Sequence, residues 1–128
     1  MPSANSMFGN KAAILGGDFL LARASVALAR LRNTEVVELL ATVIEHLVKG
    51  EILQTQNLQE SMDPLEMYIH KSFYKTASLI ANSCQAVAVL GGHDQHVQKI
   101  VFEYGKHLGI TFQVSRAKAL ADLNLDCR

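Results

Sequence analysis

Asp63-Pro64-Leu65-Glu66 opens, and Gly91-Gly92 closes, the stretch whose reading decides the fold. Asp can accept hydrogen bonds from the first unpaired amides of a helix, and Pro suits the first helical position, where its missing N–H would have no partner anyway. Glu66, three residues after Asp63, completes a capping box. Inside the stretch Tyr68, Ile69, Phe73, Ala77, Ile80, Val87 and Leu90 keep helical spacing. At its far end glycine readily adopts the left-handed conformation that stops a helix. One long helix is therefore expected between the two signals.

Working outward, the same logic finds three more. Upstream, Asn33 or Thr34 can cap a helix in which Val36, Val37, Leu40, Val43, Ile44, Leu47 and Val48 form a broad stripe. Gly50 interrupts this stripe, but the pattern resumes and carries the helix to about Gln56, after which residues 57–62 read as a polar loop. Earlier still, residues from about Lys11 to Leu31 are apolar on most faces, as in a helix surrounded by others. Downstream, Asp94 can cap a helix carrying Val97, Ile100, Val101, Tyr104 and Leu108, where Gly105 and Gly109 would let a neighbour approach closely. Beyond Gln113 the apolar order fades, so Val114 to Arg128 is expected to be a weakly amphipathic or frayed tail. No strand pattern competes, and the fold class is all-α, built on four long helices.

Composition narrows the function. A chain of 128 residues, 49% apolar, suits one compact domain or part of one and is short for an enzyme that must enclose a long apolar substrate. Twelve basic and twelve acidic residues cancel, so no overall field favours nucleic acid or an anionic membrane. Cys84 and Cys127 lack paired spacing and fit a reducing compartment. Lys11 to Arg30 approaches the length of a membrane span, but Asp18 and Arg23 lie in its interior and Gly16-Gly17 weakens it. A buried helix of a soluble protein, and no transmembrane segment, is the expectation. Asp18 would then need a hydrogen-bonding partner on a neighbouring helix. The first ten residues show neither a signal peptide nor a transit peptide.

Few residues offer chemistry. Lys71 and Lys75, with Ser72 and Thr76, fall on adjacent rows of one helix and form a cationic, hydroxyl-bearing strip that can hold a phosphate group or can be a solvated face. Glu51 and Gln54, three apart on one helical face, can orient the waters of a hydrated magnesium ion or can be an ordinary polar helix end. His93 and His96 flank Asp94 without a third ligand, which reads as a loop and a cap. Asp122 and Asp126 have the outer spacing of an Asp-Asp-x-x-Asp motif, but Leu123 stands where the second acid belongs. No nucleophile triad, zinc signature, phosphate-binding glycine loop or dinucleotide fingerprint is present.

Phe8-Gly9-Asn10-Lys11, Gly17-Asp18-Phe19-Leu20-Leu21-Ala22-Arg23-Ala24, Gly50-Glu51, Lys75-Thr76-Ala77-Ser78-Leu79-Ile80 and the run from Tyr104 to Gln113 together resemble the trans-polyprenyl diphosphate synthases. The likeness is to the mitochondrial long-chain branch that makes the ubiquinone side chain, and it covers about Pro2 to Gln113. It implies the central part of an isoprenoid-synthase-type helical bundle around a deep apolar cavity. It also implies condensation of isopentenyl diphosphate with an allylic diphosphate, magnesium held by two aspartate-rich motifs, a homo- or hetero-oligomer and a mitochondrial location. By the resemblance Lys75 and Thr76 contact the allylic diphosphate, Gln113 sits just before the second metal motif, and Glu51 and Gln54 face the metal-diphosphate cluster.

The chain departs from the family at both ends of the match. The first aspartate motif of the family lies upstream of the stretch that resembles Pro2-Ser3-Ala4-Asn5. After Phe112-Gln113 this sequence reads Val114-Ser115-Arg116-Ala117 in place of two apolar residues and an Asp pair. The expectation is a partial polyprenyl synthetase domain over residues 1–113 with a divergent tail over 114–128, a piece of a longer synthase that binds magnesium poorly and is inactive alone, with no catalytic residue of its own. The alternatives are a non-catalytic partner subunit of a heteromeric synthase and an unrelated four-helix interaction module. With surrounding helices missing, the first and third helices should expose apolar faces.

Overall fold

The computed structural model describes the backbone of residues 3–55 and 63–125 and the side chains of residues 3–52 and 63–119. Among these residues there are helices and no strand. The chain divides into two compact units, Met1–Val37 and Glu38–Arg128.

In the first unit a short helix, α1 (Ala4–Phe8), leads through Gly9 into α2 (Asn10–Arg30). Gly9 has φ 81°, a left-handed value open to glycine, and it turns the chain between the two helices. Five residues make too little of a pattern for α1 to be seen in the sequence, whereas α2 agrees with the expected helix to within one residue at each end. Of the two expectations for α2, burial among other helices is corrected and an exposed apolar face is found: none of its residues is buried, and Phe19 and Leu20 are 64% and 68% exposed. Asp18 is likewise exposed, so water solvates its carboxylate and no partner helix is required. An apolar surface on all sides shows that a helix favours enclosure, not that its own chain supplies the neighbours. By length and composition alone, α2 is also the one described helix that could cross a membrane.

Helix α3 (Thr34–Thr55) starts where Asn33 accepts a hydrogen bond from the Val36 amide at 3.1 Å. Val36 and Val43 from its stripe are buried. The expected loop over residues 57–62 lies outside the described residues.

In the second unit the long helix of the sequence reading has a break in register: α4 (Pro64–Ser72), a π-helical turn (Phe73–Ala77) and α5 (Ser78–Leu90) follow one another directly. Its two ends are as expected. Asp63 accepts from the Leu65 and Glu66 amides at 3.1 and 3.3 Å. At the other end Gly92 takes φ 69°, its amide bonds the Val89 carbonyl and the His93 amide bonds the Ala88 carbonyl, both at 3.0 Å. These are the two bonds of a Schellman stop. Asp94 then accepts from the Val97 amide at 2.9 Å and opens α6 (Gln95–Leu125).

Of the weakly amphipathic or frayed tail expected after Gln113, the frayed alternative is corrected, since α6 continues through Val114 to Leu125. Ala117, Ala119, Leu120 and Ala121 are strong helix formers, and a helix already nucleated at Gln95 extends through them without a second nucleation step. Side chains 114–119 are exposed, as their weak periodicity implies.

Small residues make the core of this unit. Ala77, Ala81 and Ser78 are 0% exposed, and Gly105 and Gly109 of α6 face them. A Cβ at Gly105 would lie 2.8 Å from the Ala81 Cα, and one at Gly109 would lie 2.5 Å from the Ala77 Cα. The close approach expected of these glycines is therefore real, with backbone packed on backbone. Large apolar side chains go the other way: Val87, Ile100, Tyr104 and Phe112 are exposed.

Two outcomes follow from this packing. Gly109→Ala gains helix propensity of about 1 kcal/mol. It also forces a methyl into a backbone atom that cannot swing aside, an overpacking cost of about 1–3 kcal/mol. Net destabilisation is expected in urea or thermal denaturation, and an unchanged or higher midpoint would contradict the seam. With so many large side chains in water, sedimentation of the purified chain should show self-association, and a compact monodisperse monomer would count against that.

Candidate functional site

The π turn builds the site. Consecutive residues of a helix point about 100° apart, so Lys75 and Thr76, side by side, face two different neighbours. Lys75 reaches α3, where its Nζ lies 2.9 Å from Glu51 Oε2. Thr76 reaches α6, where its Oγ1 accepts a hydrogen bond from Gln113 Nε2.

Each contact has a local cause. Gly50, buried on α3, has no side chain where a Cβ would stand 3.0 Å from the Tyr74 Cβ and 3.2 Å from the Lys75 Cγ. That gap lets the π turn lie on α3 and brings Glu51 to Lys75. On the other side the Tyr68 hydroxyl donates to the Gln113 carbonyl at 3.0 Å, tying α6 to α4 at the residue that also holds Thr76. Side chains of Lys75 and Glu51 are 38% and 65% exposed, so the ion pair is half in water and contributes about 1 kcal/mol or less to stability. One turn earlier, Lys49 bonds Glu45 at 2.5 Å. That hydrogen bond, with the attraction between the charges, holds the Glu45 carboxyl below and the Lys49 ammonium above its ordinary pKa.

The structure thus brings Lys75 to Glu51 and Thr76 to Gln113. Gln54 lies on α3 one turn beyond Gly50, but its side chain is outside the described residues. Lys71 is half-buried and Ser72 is buried, so the strip is not a fully solvated face. His93 and His96 are exposed, and no group of three or more His, Cys, Asp or Glu that could hold a metal occurs among the described residues. Asp126, Cys127 and the Asp122 side chain lie outside them, and Cys84 is a half-buried free thiol.

Three features were not read from the sequence. The tie from Tyr68 to Gln113 had a signal, because a tyrosine on an apolar stripe has a hydroxyl that needs a partner. The π turn went unseen because the apolar positions on either side of it were read as one continuous stripe. The third is a polar cluster of His46, Ser78 and Asn82, in which His46 Nδ1 lies 2.6 Å from Ser78 Oγ.

Thr76→Val removes the acceptor of the Gln113 amide, and stability should fall by about 1 kcal/mol in urea denaturation. Unchanged stability would mean that the Gln113 amide exchanges this partner for water at no loss.

The polyprenyl synthetase family profile matches residues 1–115. Solanesyl-diphosphate synthase 1, mitochondrial, of Oryza sativa subsp. japonica is 54% identical over 112 residues, which is 88% of this chain and 26% of that protein. The apo form of an Arabidopsis medium/long-chain length prenyl pyrophosphate synthase superposes with a TM-score of 0.78 at 51% identity, over 88% of this chain and 38% of that one. A polyprenyl synthase from Caulobacter crescentus, complexed with calcium and isoprenyl diphosphate, superposes with a TM-score of 0.81 at 30% identity, over 89% of this chain and 35% of that one. The chain spans about a quarter of the length of the curated relatives it matches. With its all-helical isoprenoid-synthase fold, this chain belongs to the polyprenyl synthetase family.

Proposed function

We propose that this chain carries a diphosphate-holding part of a mitochondrial trans-polyprenyl diphosphate synthase, the class of enzyme that condenses isopentenyl diphosphate with an allylic diphosphate on the route to the ubiquinone side chain. The observation that carries the reading is the convergence of α3, the π turn and α6 on Lys75 and Thr76. Gln113 donates to the Thr76 oxygen, which leaves the threonine O–H to donate outward to a phosphate oxygen. Lys75 supplies an ammonium, and Glu51 keeps that ammonium at the site until a more highly charged anion arrives. A departing diphosphate needs counter-charge and directed hydrogen bonds, and both side chains supply them. The relative crystallised with isoprenyl diphosphate supports the ligand class, and the name of the rice relative supports the mitochondrion.

Magnesium would supply most of the counter-charge in a complete synthase. It takes near-octahedral oxygen ligation through one or two carboxylates, water and phosphate. Among the described residues the site offers a single carboxylate, Glu51, and the Lys75 ammonium 2.9 Å from it neutralises its charge and repels a second cation, so this donor set does not fit the ion. The exposed apolar side chains of α2 are read as surfaces that further helices or a second subunit cover in a homo- or hetero-oligomer, not as a membrane span.

Binding of inorganic pyrophosphate to the purified chain, followed by calorimetry at low salt, tests this. Lys75→Ala should weaken binding about tenfold or more, the worth of one hydrogen bond to a charged group. Equal affinity, or no binding by the unaltered chain, would remove the reading. Steady-state assays of the chain alone with magnesium, isopentenyl diphosphate and an allylic primer should show no elongation, because the described residues hold no cluster of carboxylates. Lengthening of the primer would overturn that part.

A further inference from the structure

A π turn is held from outside. Its wider ring is less favourable than the α-helical one, so single π turns persist where neighbouring groups over-determine them. Here the neighbour is a face of α3 on which His46 and Gly50, four apart, lie one above the other. Gly50 touches Tyr74 and Lys75, as described. His46 grips the turn at both ends. Its ring packs against Phe73 and Tyr74, with centroids 5.7 and 5.3 Å away, and its Nδ1 bonds Ser78 Oγ at 2.6 Å. Phe73 and Tyr74 precede Lys75 and Thr76, and Ser78 follows them after one residue, so a single side chain spans the pair that would meet the ligand.

Ser78 is locked in turn. Asn82 Nδ2 donates to the Ser78 carbonyl at 2.8 Å and to its Oγ at 3.3 Å, so the serine oxygen is held from a second side while it bonds His46 Nδ1. A serine hydrogen-bonded to a histidine also has the look of an activated nucleophile, but Ser78 is 0% exposed and no substrate atom can reach it. What remains is geometry. Were the turn to relax to α-helical register, residues after the slip would rotate by about 100° relative to those before it. Lys75 and Thr76 could then not face Glu51 and Gln113 together while Ala77 stays seated on Gly109.

We propose that His46 is the positioning residue of this site: through Ser78, Phe73 and Tyr74 it holds the π register that aims Lys75 at α3 and Thr76 at α6, and so sets affinity for a diphosphate it does not touch. The part about diphosphate rests on the function proposed above, and the part about register stands apart from it.

The test uses three single variants and one double variant of the whole chain, and three readouts. His46→Phe keeps an aromatic ring and loses the polar atom, Ser78→Ala loses the hydroxyl, and His46→Asn returns a polar atom near the place of Nδ1. In NMR spectra, His46→Phe and Ser78→Ala should each shift the amide resonances of residues 73–77 and the side-chain amide of Gln113. Each should raise hydrogen exchange at 73–77 about tenfold relative to residues 86–90 of the same helix. The double variant should be no worse than either single one, and His46→Asn should restore the spectrum. Pyrophosphate affinity should follow the spectra, falling about tenfold in His46→Phe and recovering in His46→Asn. Unshifted resonances at 73–77 in both His46→Phe and Ser78→Ala would overturn the proposal, as would wild-type affinity in a variant whose register has moved. If His46→Phe does not fold, Ser78→Ala decides alone. A chain that binds no pyrophosphate, yet moves its register as stated, would refute the diphosphate reading and keep the positioning role.

Discussion

The close contact of α6 with the π turn and α5 is the constraint on which the second unit depends. Gly105 and Gly109 bring backbone against Ala81 and Ala77 at distances no side chain at those positions would allow. Because Gln113 lies one turn beyond Gly109, the same seam delivers its amide to Thr76. The Tyr68 hydroxyl, bonded to the Gln113 carbonyl, then fixes the far side of that contact. A core of alanine, serine and glycine buries little apolar area per residue. Its stability comes from dense packing and from hydrogen bonds that the close approach makes possible.

Such a core explains the uneven surface. Small residues are enclosed while Phe19, Leu20, Val87 and Tyr104 stand in water, the reverse of an ordinary self-sufficient domain. The matched part of this chain is 26% of the rice relative and 38% of the Arabidopsis structure, and large apolar side chains stand on the faces left open here. The polar site follows the opposite rule. Lys75, Thr76, Glu51 and Gln113 come from three segments, and each has its direction set by a contact to backbone or to a second side chain.

Legibility in the sequence tracked how local the cause was. Asp63, Asn33 and Asp94 were readable as caps because a cap involves a side chain and amides two or three residues away. Gly91-Gly92 was readable as a stop for the same reason, and Gly105 and Gly109 were readable as a point of close approach, though not what would approach. Lys75, Thr76, Glu51 and Gln113 were given their roles by a family likeness, and spacing alone left open whether Lys75 and Glu51 form a site or an ordinary wet surface. Nothing in the chain pattern announced that Phe73 to Ala77 would widen into a π turn, or that His46, lying in the stripe of α3, would bond a buried serine 32 residues away.

What the sequence determined by itself is the class of the fold, the capped starts of α3, α4 and α6, the stop at Gly91-Gly92 and the family. Helix propensity, capping and periodicity act within one or two turns, and the family motifs are read along the chain. What only the tertiary structure decided is the π register and the pairing of Lys75 with Glu51 and of Thr76 with Gln113. Those depend on which surfaces meet, and a surface acquires its neighbour only when segments far apart in sequence are packed together.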